Sequence, residues 1–327
     1  MSNDASEFRF LAGDAARVER TTALPAVVRT EFQLADGRGS LSALRFSPEQ
    51  PAQLVVLHGA GLNAHSFDPM LLALDRPAIS VDLPGHGRSS WRADADYRPE
   101  IIAPAIVEFL VALADDQPDT PFKLLGHSLG GLAATYAAAE FEKLRPGMLR
   151  ELMIVDITPS VSPSTDGAGV AEFITGQRSF TNVDEAVDRA IAFGIGSDRT
   201  TLTRGVTLNT RLREDGRLEW THHFAHLAGL PSAPAADPGN ADTADAAPAA
   251  AAQADPRPYA GAWDALEALT CRVVLFPATA GMVSQELARE WTERLPLASI
   301  ATIEGPHNLH EAVPRDLANH IQELDPR

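Results

Sequence analysis

The residues best suited to chemistry sit together at Gly126-His127-Ser128-Leu129-Gly130-Gly131. A serine hydroxyl becomes a nucleophile when a base can take its proton and the backbone holds it out from the fold. A sharp strand-to-helix bend does the second of these. The flanks fit such a bend, with an apolar run at 122–125 before it and an Ala-rich stretch at 132–141 after it. Side chains at 126 and 130 would collide with the neighbouring strand and helix, so both glycines have a mechanical role. The bend also sets Ser128 at a helix amino terminus, where amides and the dipole favour developing negative charge. The plainer reading is a Gly-rich turn that packs a helix on a strand; with both flanks in place, Ser128 is the candidate nucleophile.

The elements around this bend alternate. A hairpin pattern covers 27–34 and 40–46 around Ala35-Asp36-Gly37-Arg38-Gly39. Short apolar runs follow at 54–57, 78–81, 122–125, 152–155 and 273–276, with helical spacing at 101–114 between two of them. Short apolar strands alternating with helices imply a mostly parallel sheet covered on both faces. The alternation breaks after Thr158. Residues 184–193 and 201–212 read as helical pieces, and no strand there suits the sheet. Residues 233–257 are dominated by Ala, Pro, Asp and Gly, too poor in large apolar groups to offset chain entropy, and read as disordered.

Three motifs in this order resemble those of the α/β-hydrolase family: His58-Gly59-Ala60-Gly61, Asp82-Leu83-Pro84-Gly85-His86-Gly87-Arg88-Ser89, and the bend at Ser128. The resemblance covers about residues 25–160 and 259–327. Residues 57–65 and 155–160 are similar to those of a group of actinobacterial esterases, a mycobacterial one among them. The resemblance implies an α/β-hydrolase core at 25–157 and 259–327. It also implies a helical lid inserted at 158–258, after the strand ending at Asp156, and leaves 1–24 as a loosely ordered leading segment. It further implies two backbone amides, of Ala60 and Leu129, as donors to the oxyanion that acyl transfer develops. His58, His86, His127 and Asp82 are then structural.

The ten histidines include one in the place the family gives its base. His307 follows the last expected strand, 299–303, in Gly305-Pro306-His307, with Pro314 completing the family's pattern; His310 is its competitor. The acid departs from the pattern. The usual position after residues 272–276 falls near Ala280 or Gly281, and no carboxylate appears until Glu286. The resemblance implies Asp156 as the acid instead, since some members of the family supply it from the end of the neighbouring strand, here 152–155. Glu286 and a dyad oriented by water or a carbonyl remain open. The expected activity is cofactor-free, metal-free hydrolysis of small carboxylic esters through an acyl-enzyme. Aromatics of the insertion (Phe173, Phe180, Phe193, Trp220, Phe224) and Met282 either line an apolar acyl pocket or pack the lid's own core. Carbon–carbon bond hydrolysis and a ligand-binding member with weak catalysis are the alternatives.

Composition narrows the field. A net charge of −17 leaves no basic surface for nucleic acid and disfavours anionic membranes. The single Cys271 cannot form an internal disulfide and reads as a small buried hydrophobe. No apolar run is long enough to span a bilayer and the first residues are polar and acidic, which makes the cytoplasm the default location.

Overall fold

Strands made mostly of apolar residues need cover on both faces, and here they have it. The computed structural model describes residues 7–162, 168–196, 198–227 and 259–324. A short helix, α1 (Leu11–Arg17), precedes the antiparallel hairpin β1 (Val27–Gln33) and β2 (Ser40–Phe46). The hairpin turns through Asp36 and Gly37, both at positive φ. Strand and helix then alternate through β3 (Leu54–Leu57), α2 (Asp68–Leu74), β4 (Ala78–Val81), α3 (Pro99–Asp116), β5 (Phe122–His127), α4 (Leu129–Leu144) and β6 (Leu149–Val155). The inserted segment holds α5 (Ala168–Thr175), β7 (Ser179–Phe180), α6 (Val183–Ala192), α7 (Arg199–Leu208), β8 (Thr210–Leu212), β9 (Leu218–Trp220) and α8 (Phe224–Leu227). After it come α9 (Ala260–Glu267), β10 (Arg272–Phe276), β11 (Ala278–Ala280), α10 (Gln285–Arg294), β12 (Ser299–Ile300), β13 (Ile303–Pro306), α11 (Leu309–Ala312) and α12 (Pro314–Glu323).

Eight strands form the main sheet in the order β1-β2-β4-β3-β5-β6-β10-β12. The first two pairings are antiparallel and the rest are parallel. Side chains alternate across it. Val55, Leu57, Leu124, Ile154 and Leu275 share a core with α3, α4 and α9, while Leu54, Val56, Leu125, Val155 and Phe276 share one with α1, α2 and α12. Ala133, Ala134, Ala137 and Ala138 on α4 are completely buried, and their small side chains let the helix approach the sheet closely. The consequence for the site is that β3, β5, β6 and β10 lie side by side with their carboxyl ends on one edge.

Several expectations change. Residues 7–24 are not loose over α1, where Leu11, Ala15 and Val18 are buried against the core. The strand expected at 299–303 splits, because β12 pairs with β10 and β13 pairs with β11. The helix expected through Leu212 stops at Leu208, and 210–212 is a strand. The insertion is therefore not purely helical; β7, β9 and β8 make their own antiparallel sheet. Residues 233–257 lie outside the described residues. No described helix is long and apolar enough to cross a membrane. Cys271 is half-buried, and burial, then the Glu142 carboxylate, push its thiol pKa upward, which makes it a poor nucleophile.

Candidate active site

Ser128 sits one residue beyond β5, at φ 52° and ψ −121°, as the N-cap of α4. A non-glycine residue there carries strain of about 1–3 kcal/mol, which the surrounding contacts must offset. A Cβ at Gly126 would lie 2.3 Å from Gly130 O, and one at Gly130 would lie 2.4 Å from the carbonyl oxygens of Leu57 and His58. Only glycine fits at either position, because the obstacles are backbone. Ser128 is half-buried, and among the described residues its hydroxyl makes no hydrogen bond. The serine–imidazole bond is thus not formed in this rotamer, a common state before substrate binds.

Asp156 occupies the matching place on the next strand. β5 and β6 pair His127 with Val155, so Ser128 and Asp156 are the first residues past both ends. Asp156 also has positive φ, 50°, and is fully buried. His307 Nδ1 donates to its Oδ2 at 2.7 Å. Amides of the turn after β10 fill the remaining acceptor sites: Ala278 N at 2.9 Å on Oδ1 and Met282 N at 2.8 Å on Oδ2. The family's usual acid position explains the geometry. A Cβ at Gly281 would lie 2.0 Å from Asp156 Oδ2, so the carboxylate reaches across from β6 into space that a side chain at 281 would take.

With Nδ1–H committed to Asp156, the other imidazole nitrogen of His307 is the one able to accept a proton. The residue is half-buried. His127 holds it from the side: His127 Nε2 donates to His307 O at 3.1 Å, and the two rings lie 4.5 Å apart. His127 is completely buried, and burial pushes its pKa well down, so it stays neutral. Gly59 closes the ring of contacts. A Cβ there would lie 2.7 Å from His127 Nδ1 and 3.2 Å from Ser128 Cβ.

The loop after β3 therefore passes directly beside Ser128. Its Ala60 amide, and that of Leu129, have no acceptor among the described residues, and both residues are half-buried. Buried polar groups brace this loop. Leu83 N donates to His58 Nε2 at 3.0 Å, and Gly61 N donates to His86 Nε2 at 3.1 Å. Both rings must be neutral to accept, and burial lowers both pKa values accordingly. Ala64 N donates to Asp82 Oδ1 at 2.7 Å. Burial opposes charge on Asp82, but Arg29 beside it holds its pKa down.

The competing candidates lie elsewhere. His310 is fully buried, stacked on Phe67 at 4.4 Å, with neither ring nitrogen hydrogen-bonded; burial, then nearby His307, push it down to about 3. It fills space and stays uncharged. Glu286 is exposed in the first turn of α10 and makes no contact with His307 among the described residues. Phe180 and Trp220 pack the insertion's own core with Phe173 against them, while Phe224 and Met282 pack on the main core. Among the described residues no group of His, Cys, Asp or Glu side chains is arranged to hold a metal ion.

This geometry has close relatives. Esterase Rv0045c of Mycobacterium tuberculosis is 35% identical over 221 residues, covering 66% of this chain and 69% of that protein. A solved structure of that esterase matches with a TM-score of 0.74 at 28% identity, covering 98% of this chain and 99% of the other. Lipase LipV of the same organism is 35% identical over 135 residues, 41% of this chain and 46% of that protein. The model of the Alpha/beta hydrolase family matches residues 54–320. A match running from β3 into α12, through the elements that carry Ser128, Asp156 and His307, makes this chain a member of the α/β-hydrolase family.

Proposed function

We propose that this chain hydrolyses carboxylic esters through an acyl-enzyme on Ser128, with His307 as base, Asp156 as the acid that orients it, and the Ala60 and Leu129 amides as oxyanion donors. The chain is a carboxylic ester hydrolase, as its likeness to Esterase Rv0045c indicates; the assignment of roles rests chiefly on one observation, the 2.7 Å bond from His307 Nδ1 to buried Asp156 beside the strained Ser128. Ser128 Oγ attacks the ester carbonyl carbon while His307 takes its proton. Negative charge moves to the carbonyl oxygen, where the two free amides meet it. Asp156 keeps its own charge and stabilises the imidazolium. Collapse of the tetrahedral intermediate breaks the carbon–oxygen bond, and His307 returns the proton to the leaving alcohol. Water then repeats the cycle on the acyl-enzyme and releases the acid.

An apolar acyl group is favoured by Ile174 of α5, which is buried against Gly61 beside the oxyanion amides. The test is serine-directed fluorophosphonate labelling together with a panel of p-nitrophenyl esters of graded acyl length. Ser128→Ala should abolish labelling and lower turnover by about 10⁴- to 10⁶-fold. A labelled, active Ser128→Ala protein would refute the assignment.

A further inference from the structure

The oxyanion loop is also held from the inserted segment. Asn209 ends α7, 148 residues from Gly61 in sequence, and its Nδ2 donates to Gly61 O at 2.5 Å. Its Oδ1 accepts from Thr221 Oγ1 at 2.8 Å and from Asn63 Nδ2 at 3.2 Å. These partners fix which way the amide faces, since the reverse orientation would set oxygen against the Gly61 carbonyl and nitrogen against the Asn63 amino group. Asn209 is buried, and so are its bonds to Gly61 and Asn63.

We propose that Asn209 is a positioning residue for the Ala60 amide, acting through Gly61; this rests on the role given to Ala60 above. Gly61 follows Ala60 directly and stands at φ +72°, where glycine is free to pivot. Two bonds stop it from doing so. His86 receives its N–H, and Asn209 is the donor to its carbonyl. Without the Asn209 bond the turn through Gly59, Ala60 and Gly61 is held on its upstream side alone, and the whole turn, the Ala60 amide included, drifts from its place beside Ser128. Docking of α7 does not explain the bond. Arg204, one turn earlier, already fastens the helix through Asp14 Oδ2 at 2.7 Å, Asp68 Oδ2 at 2.9 Å and His65 O at 3.1 Å.

Asn209→Asp isolates the effect. It keeps the shape and the acceptor for Asn63 and Thr221, and replaces only the donor to Gly61 with a carboxylate oxygen. With a short-chain p-nitrophenyl ester, kcat should fall about 10- to 100-fold while KM stays within about twofold, because a misaimed oxyanion donor acts in the transition state. The ratio of variant to wild-type kcat should recover as pH falls, since the protonated carboxyl group can again donate to Gly61. Asn209→Ala should lose kcat similarly, without that recovery. A wild-type kcat in Asn209→Asp overturns the assignment. So does a deficit confined to KM, or one independent of pH that follows a lowered melting temperature. Ser128→Ala, run beside them, separates the two readings. If it is inactive while Asn209→Asp is normal, only Asn209 fails; if it is active, the proposed function fails and this inference with it.

Discussion

The carboxyl edge of the main sheet and the inserted segment are built by different means. At the edge, Ser128 and Asp156 each follow a strand whose apolar side chains are buried on both faces, and the ladder between β5 and β6 sets them side by side. The inserted segment has only a small core of its own around Phe180 and Trp220. Phe224 and Leu227 pack it on the main core, and directional polar contacts fix it further: Arg204 to Asp14 and Asp68, Asn209 to Gly61, and His223 N to Gly85 O at 2.7 Å. Apolar packing tolerates small shifts in the partner, whereas a buried hydrogen bond is lost when its partner moves. The edge is thus placed by backbone register, whereas the insertion adds to its apolar contacts a few hydrogen bonds that must each find their acceptor.

The contrast is tested hardest at the edge. Asp156→Asn should lower ester turnover by about 10²- to 10⁴-fold while leaving unfolding cooperative, because asparagine tolerates the left-handed backbone. Near-normal turnover would remove Asp156 from the triad. In the insertion, the larger effect should be on stability. Arg204→Met leaves Asp14 buried without its guanidinium and Asp68 with His65 alone, and should cost about 3–5 kcal/mol in chemical denaturation. A loss below about 1 kcal/mol, the range of an exposed pair, would mean that apolar contacts hold the segment after all.

The smallest effect is a pH dependence beneath the same helix. Burial opposes charge on His65, but Asp68 and Glu7 beside it raise its pKa from 6.5 to about 9. Its contribution to stability is therefore complete below pH 6.5 and is lost as pH rises through 9. Glu7 works in the opposite direction. Burial again resists its charge, yet His65 and Arg29 hold its pKa near 2 instead of 4.5, so its share is present above pH 4.5 and is lost as pH falls through 2. Denaturation midpoints should decline between pH 6.5 and 9, and His65→Gln should flatten that decline. An unchanged slope in the variant would assign the decline to another group.

What the sequence made legible follows the same division. The strands could be read because both-face burial leaves short, mostly apolar runs, broken only by Ser80 and Lys123, and the bend at 126–130 because backbone crowding demands glycine at fixed positions. Asp156 could be reached only through the resemblance, in which some members of the family take their acid from the strand that ends there, since nothing local marks a carboxylate that serves a histidine 151 residues away. The insertion was harder. Helical spacing continues through Leu212, and it conceals the break at Asn209, whose side chain bonds to Gly61, Asn63 and Thr221. Arg204 and Asp14 are 190 residues apart and share no pattern that periodicity could expose. The split of 299–303 depends on β12 and β13 pairing with different partners, a fact of topology alone.

The crowding between Gly281 and Asp156 has a consequence for how this lineage can change. A methyl group at 281 would already strike the Asp156 carboxylate, so with Asp156 as the acid, as proposed, a carboxylate at 281 and one at 156 exclude each other. An acidic side chain acquired at 281 would evict the one that it duplicates, and loss of Asp156 alone would leave the imidazole without a counter-ion. Passage between the two arrangements must therefore go through a crippled intermediate or a paired replacement, and a designer moving the acid has to edit both loops at once.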